Sequence, residues 1–112
     1  MLSLARTRAI EAFLPAHALP TIYYVSRKQL SDEAVRQELR AILRMVSVTS
    51  LCQDAALRAL DSPLPDFEDA VVLETAKDVN AEAIITRNVS DFSLSSIPAM
   101  TARSFMERIF HV

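Results

Sequence analysis

The absence of glycine is the tightest constraint on this chain. None of its 112 residues is Gly, against about 7% in average proteins. Glycine enters left-handed backbone without a steric cost and lets a backbone approach a phosphate closely. Without it, the Gly-rich phosphate loops of dinucleotide-binding and P-loop proteins are excluded. Turns have to be built from Pro15, Pro20, Pro63, Pro65 and Pro98 and from Asn and Asp.

A hydrophobic content of 51% over this length suits one compact domain, 1–112, with a modest core. The net charge of −2 and the pI near 5.6 argue against a broad basic surface for non-specific nucleic-acid binding. A local basic patch stays open through Arg27, Lys28, Arg36, Arg40 and Arg44. Cys52 stands alone, which excludes an intrachain disulfide and fits a reducing compartment; a small buried apolar residue is expected there. No apolar run is long enough to span a bilayer, and residues 1–11, with Arg6 and Arg8, lack a signal-peptide core. The expected setting is cytoplasmic, with no membrane contact.

Helical and strand patterns alternate along the chain. Residues 3–12 read as a helix or its remnant, and 12–18 as a short strand bent at Pro15. A helix over 22–29 follows Pro20. Ser31, Asp32 and Glu33 form an N-cap and acidic first turn for a helix carrying Val35, Leu39, Ile42, Leu43 and Val46. Residues 46–49 alternate as a strand. A helix over 52–60, capped by Thr49 or Ser50, ends at the proline-rich 61–65. Asp66 is the expected N-cap of the next helix, with Asp69 at the reach-back position of a capping box. Its apolar residues Phe67, Ala70, Val71, Leu73, Ala76 and Val79 wrap widely, and Glu74, Lys77 and Asp78 read as a solvated face. Residues 83–86 suit a buried parallel strand, and Pro98 and Thr101 introduce a helix over 102–110. Alternation of this kind predicts a three-layer α/β/α fold with a short, mainly parallel central sheet.

Ligands of such sheets sit beyond the carboxyl ends of the strands, where 87–91 fall. Asp69 and Asp91 lie 22 positions apart, at the two ends of one helix–strand unit. The unit can return both to one edge, where they would share a hard cation such as Mg²⁺, which takes one or two carboxylates plus water and phosphate. Asn88 offers an amide oxygen, Asp66 and Glu68 flank the first acid, and Thr86 can brace a ligand. Ordinary structural roles compete with this reading. Capping and the helix dipole select Asp66 and Asp69 anyway, Asp91 could be a loop acid, and Asn88 could fill a left-handed turn. His17 and His111 lack the spacing of a His-based metal site. Tyr23 and Tyr24 suit a core or interface better than base stacking.

The wording Asp-Phe-Glu-Asp-Ala (66–70) followed by Ala-Ile-Ile-Thr-Arg-Asn-Val-Ser-Asp-Phe (83–92) resembles the C-terminal half of PIN-domain proteins. Ser-Ile-Pro-Ala-Met-Thr (96–101) continues the likeness, and Thr-Ile-Tyr-Tyr-Val-Ser-Arg-Lys (21–28) is similar to an earlier part of the family. The resemblance runs in order from about Ile10 to the C-terminus. It implies a Mg²⁺- or Mn²⁺-dependent ribonuclease fold, often the VapC-type toxin of a toxin–antitoxin pair. By position, Asp69 corresponds to the family's acid at this helix start, and Asn88 and Asp91 to its polar and acidic positions after the fourth strand. Thr86 and Arg87 belong to the same motif.

The chain departs from that pattern at its front. The family opens with a strand ending in an Asp-Thr-Asn type motif, whose Asp is the central metal ligand, and no such motif occurs here. A second acid, common in the family near the position of Thr21, is also absent. The expectation is therefore a PIN-like RNA endonuclease and toxin, N-terminally truncated and weak or inactive for lack of the front of its metal site. RNA, an antitoxin protein and a second copy of the chain are its expected partners. The alternative is a non-catalytic binding or assembly module that keeps the dimer or antitoxin surface.

Overall fold

The computed structural model describes residues 10–110. Backbone contacts divide the chain into two compact units, with the boundary between Ser50 and Leu51. Both are α/β with parallel strands, as the alternation predicts. Instead of one sheet, the described strands form two separate two-stranded pairs, one in each unit. Every strand is only two or three residues long, so each ladder is short.

In the first unit the order is β1 (Phe13–Pro15), α1 (Ala18–Ser26), α2 (Asp32–Leu43) and β2 (Ser47–Thr49). The helix expected over 3–12 lies mostly outside the described residues, and 10–12 are not helical. β1 and β2 pair in parallel, Phe13 opposite Ser47 and Pro15 opposite Thr49. Pro15 has no N–H to donate, which ends the strand where the sequence anticipates a bend. α1 starts at Ala18, earlier than Pro20 suggests. Pro20 still falls in the first turn, where a missing N–H costs no intrahelical bond. Ser31 caps α2 as expected, its Oγ accepting from Ala34 N–H at 3.2 Å. Asp32 joins the two helices: the Tyr23 hydroxyl donates to its Oδ1, and Arg36 Nε donates to its Oδ2 at 2.9 Å. These bonds, Tyr23's foremost, hold the Asp32 carboxyl below the usual carboxylate range.

The second unit holds α3 (Gln53–Leu60), α4 (Phe67–Asp78), β3 (Ile84–Ile85), a 3₁₀ turn (Val89–Phe92), β4 (Ala99–Met100) and α5 (Ala102–Phe110). β3 and β4 are parallel, Ile84 opposite Ala99 and Ile85 opposite Met100. Its core gathers Ala59, Leu64, Ala70, Val71, Leu73, Ile84, Phe92 and Ile97. Burial of these apolar groups is the main force holding helices and strands of this unit together.

Four expectations change here. Cys52 is exposed, not buried. It, and not Thr49 or Ser50, is the N-cap of α3, its Sγ accepting from Ala55 N–H at 3.5 Å; a sulfur is a weak acceptor, but the first helical amides need a partner. Phe67 is half exposed, at 50%, because it opens α4 on the solvent side of the first turn. Glu74 is no solvated residue: it is 4% exposed. Arg58 Nε on α3 and Lys77 Nζ each donate to it at 3.0 Å, and Arg58 Nη2 also reaches Asp78 Oδ1 at 2.7 Å. A buried carboxylate requires such partners; Lys77 and Asp78 themselves remain exposed, as expected.

Candidate metal centre

Asp66 occupies the N-cap of α4 in extended backbone, φ −100° and ψ 127°. Its carboxylate accepts from Asp69 N–H at 3.1 Å, and its carbonyl accepts from Ala70 N–H at 3.0 Å. The cap is one-way. The Asp69 carboxylate does not reach back to Asp66 N–H, so the reciprocal half of the expected capping box is not formed. Asp69 is half-buried on the first turn, with Asp66 and Glu68 exposed beside it.

The other acid arrives from the far end of the helix–strand unit. Thr86 N–H donates to Met100 O at 3.0 Å, extending the β3–β4 ladder by one residue. The Thr86 hydroxyl then accepts from Asn88 N–H at 3.1 Å and turns the chain. Asn88 has φ −106°, so it is not the left-handed residue that a glycine-free chain requires. That position is Asn80, with φ 56°, just after α4. The 3₁₀ turn follows, closed by Asp91 N–H donating to Asn88 O at 3.0 Å. Phe92 is buried and ties the turn to the core, while Asp91 beside it stays exposed. Arg87 and Asn88 are exposed on the same loop, and neither side chain bonds to any described residue.

Charge connects the two clusters. Partial burial pushes the Asp69 carboxyl above the usual range, and the negative charges of Asp66, Asp91 and Glu68 push it further. Asp91, remote in sequence, contributes to this shift after burial and Asp66. Nearby like charges favour the neutral form of a carboxyl in this way. Asp66 and Glu68 share the start of α4 with Asp69, and Thr86, Arg87 and Asn88 share Asp91's loop. Among the described residues no group of three His, Cys, Asp or Glu side chains converges closely enough to hold a metal ion. Two carboxylates with an uncommitted amide still suit Mg²⁺, which keeps several waters and does not need an all-protein cage. No helix among the described residues is long and apolar enough to cross a membrane.

A family profile described as PIN domain matches residues 1–90 of the chain. The match covers Asp66, Glu68, Asp69, Thr86, Arg87 and Asn88 and stops one residue before Asp91. It begins upstream of Ile10, where the resemblance in the sequence was placed. No curated protein and no solved structure matches significantly.

Proposed function

The chain belongs to the PIN-domain family, a nuclease-like family, and from that premise we propose that it is a divalent-metal-dependent RNA endonuclease. The observation that carries this reading is the family match over residues 1–90, joined to the position of Asp69 on the first turn of α4 and of Asp91 in the 3₁₀ turn after β3. Asp69 and Asp91 are the proposed metal ligands, with Asn88 presenting its amide oxygen to the ion or its water shell. A bound Mg²⁺ or Mn²⁺ would lower the pKa of a water and offset charge developing on a phosphodiester. The chain's own part is to hold acids of like charge at one edge, Asp66 by capping α4 and Thr86 by fixing the backbone of Asn88. Arg87, exposed beside them, is suited to grip a backbone phosphate through its guanidinium fork. A cellular role as toxin, with an antitoxin protein as partner, follows from the same reading.

The test is RNA cleavage by purified protein with Mg²⁺ or Mn²⁺. Activity lost on chelation and in both Asp69→Asn and Asp91→Asn supports the proposal. Cleavage that survives both substitutions assigns it to a contaminant or to another site. Growth arrest on expression, relieved by either substitution, tests the toxin role.

A further inference from the structure

Helix α4 is not amphipathic in the usual sense. Every residue from Asp69 to Ala76 is buried or half-buried, which is two full turns. Ala70, Val71, Leu73 and Thr75 are buried, and Val72 and Ala76 pack at the core's edge. Because apolar groups lie all around the axis, hydrophobic burial is non-directional here and selects poorly among neighbouring rotations of the helix. Yet rotation matters for Asp69. A turn of about 20° moves a side-chain tip on a helix of this diameter by about 2 Å.

Glu74 is the buried position on α4 that does have a directional requirement. Its two carboxylate oxygens are committed separately: Oε1 to Arg58 Nε and Oε2 to Lys77 Nζ, both at 3.0 Å. Arg58 reaches in from α3 and, through Nη2, also holds Asp78 Oδ1 at 2.7 Å, one helical turn beyond Glu74. A planar guanidinium contacting two points a turn apart fixes both rotation and register. Buried ion pairs are poor stabilisers, since desolvation offsets much of their attraction, and specifying one arrangement is their better-attested use. Glu74 lies five residues, or about 7.5 Å along the axis, from Asp69.

We propose that Arg58 and Glu74 are positioning residues, setting the rotation of α4 against α3 and with it the placement of Asp69 toward Asp91. The functional consequence rests on the metal-site reading above; the structural claim does not. Neither residue is among the proposed metal ligands. Both act only through the helix that carries Asp69.

The deciding variant is the full chain with Arg58→Met and Glu74→Leu together, which fills the same space with apolar groups. Such a replacement is often neutral or stabilising, so where the variant keeps its melting temperature a purely stabilising role predicts an unaltered site. Positioning predicts a retained melting temperature but redistributed methyl NOEs from Val71, Val72 and Leu73 to Ile84 and the Phe92 ring. It also predicts Mn²⁺ affinity lower by about 10-fold, as for other supporting residues of metal sites. An unchanged NOE pattern, or unchanged Mn²⁺ affinity, in the folded variant overturns the proposal. If the double variant does not fold, Arg58→Lys decides by the same readouts, because an ammonium cannot span Glu74 and Asp78. Absence of Mn²⁺ binding by the unaltered protein would remove the metal reading, and the NOEs alone then judge the rotation.

Discussion

The amide of Asp69 is held by the carboxylate of Asp66 at 3.1 Å, while the carboxylate of Asp69 takes no part in the cap. Two acids on one turn therefore have separate work. Asp66 satisfies a helix end, and Asp69 is left half-buried among like charges. Removing the first should cost stability, since losing such a cap costs about 1 kcal/mol. Neutralising the second should do the reverse. Thermal unfolding of metal-free Asp66→Ala and Asp69→Asn near neutral pH is expected to show the first melting lower and the second higher than the parent.

The pH dependence of stability should carry two opposed contributions. Burial raises the Glu74 carboxyl, but bonds from Lys77 and Arg58 outweigh it and leave the group below its ordinary value of 4.5. Its folded state thus favours the charged form, so its contribution is present above about pH 4.5 and is lost as pH falls through the folded value. Asp69 runs the other way: its folded value lies above the ordinary 3.8, and its contribution disappears as pH rises through that value. Denaturant titrations between pH 3 and 7, roughly the window these directions define, should show a flatter acid limb in Glu74→Gln. Asp69→Asn should instead gain most at the neutral end.

Cys52 offers a gain in stability. A hydroxyl is among the preferred N-cap acceptors, and the present acceptor is a sulfur at 3.5 Å from Ala55 N–H. Cys52→Ser is expected to stabilise the chain by about 0.5 kcal/mol, and Cys52→Ala to do no better than the parent. Chemical denaturation under reducing conditions measures both.

The core of the second unit should be sensitive where its surface is not. Leu73 is 2% exposed, and Leu60, one helix earlier, is 67% exposed. Leu73→Ala is expected to cost about 3 kcal/mol through lost contacts and the cavity left behind. Leu60→Ala should stay within about 0.5 kcal/mol of the parent. Equal losses at both positions would mean that Leu60 is covered in solution.

Ser31 and Asp66 could be recognised as caps because a cap is a local event, decided by one side chain and an amide three residues on. The turn through Thr86 and Asn88 is local too, but a threonine hydroxyl accepting from an amide two residues on leaves no signature that separates it from a ligand-bracing role. What sequence concealed was long-range or very short. β4 is two residues, below the length at which alternation can be read. Glu74 reads as a surface acid because its partner Arg58 lies 16 positions earlier, on another helix. Cys52 was misplaced by residue type, since most unpaired cysteines are buried. The return of the chain to one edge through a helix and a strand is legible from their alternation, whereas spacing alone does not separate Asp91 from an ordinary loop acid.

A backbone without glycine, with Asn80 as its one left-handed position among the described residues, also has fewer shapes available when unfolded. Each glycine replaced by a residue with a side chain removes conformations from the unfolded ensemble, which is worth about 0.4–1 kcal/mol where the native angles permit it. The loop from Thr86 to Asp91 is made wholly of such residues. Less disorder is surrendered when that loop closes, and the closed loop presents its acid from a narrow set of shapes. Asp91 is held by the stiffness of its own backbone, with the buried Phe92 beside it as the anchor.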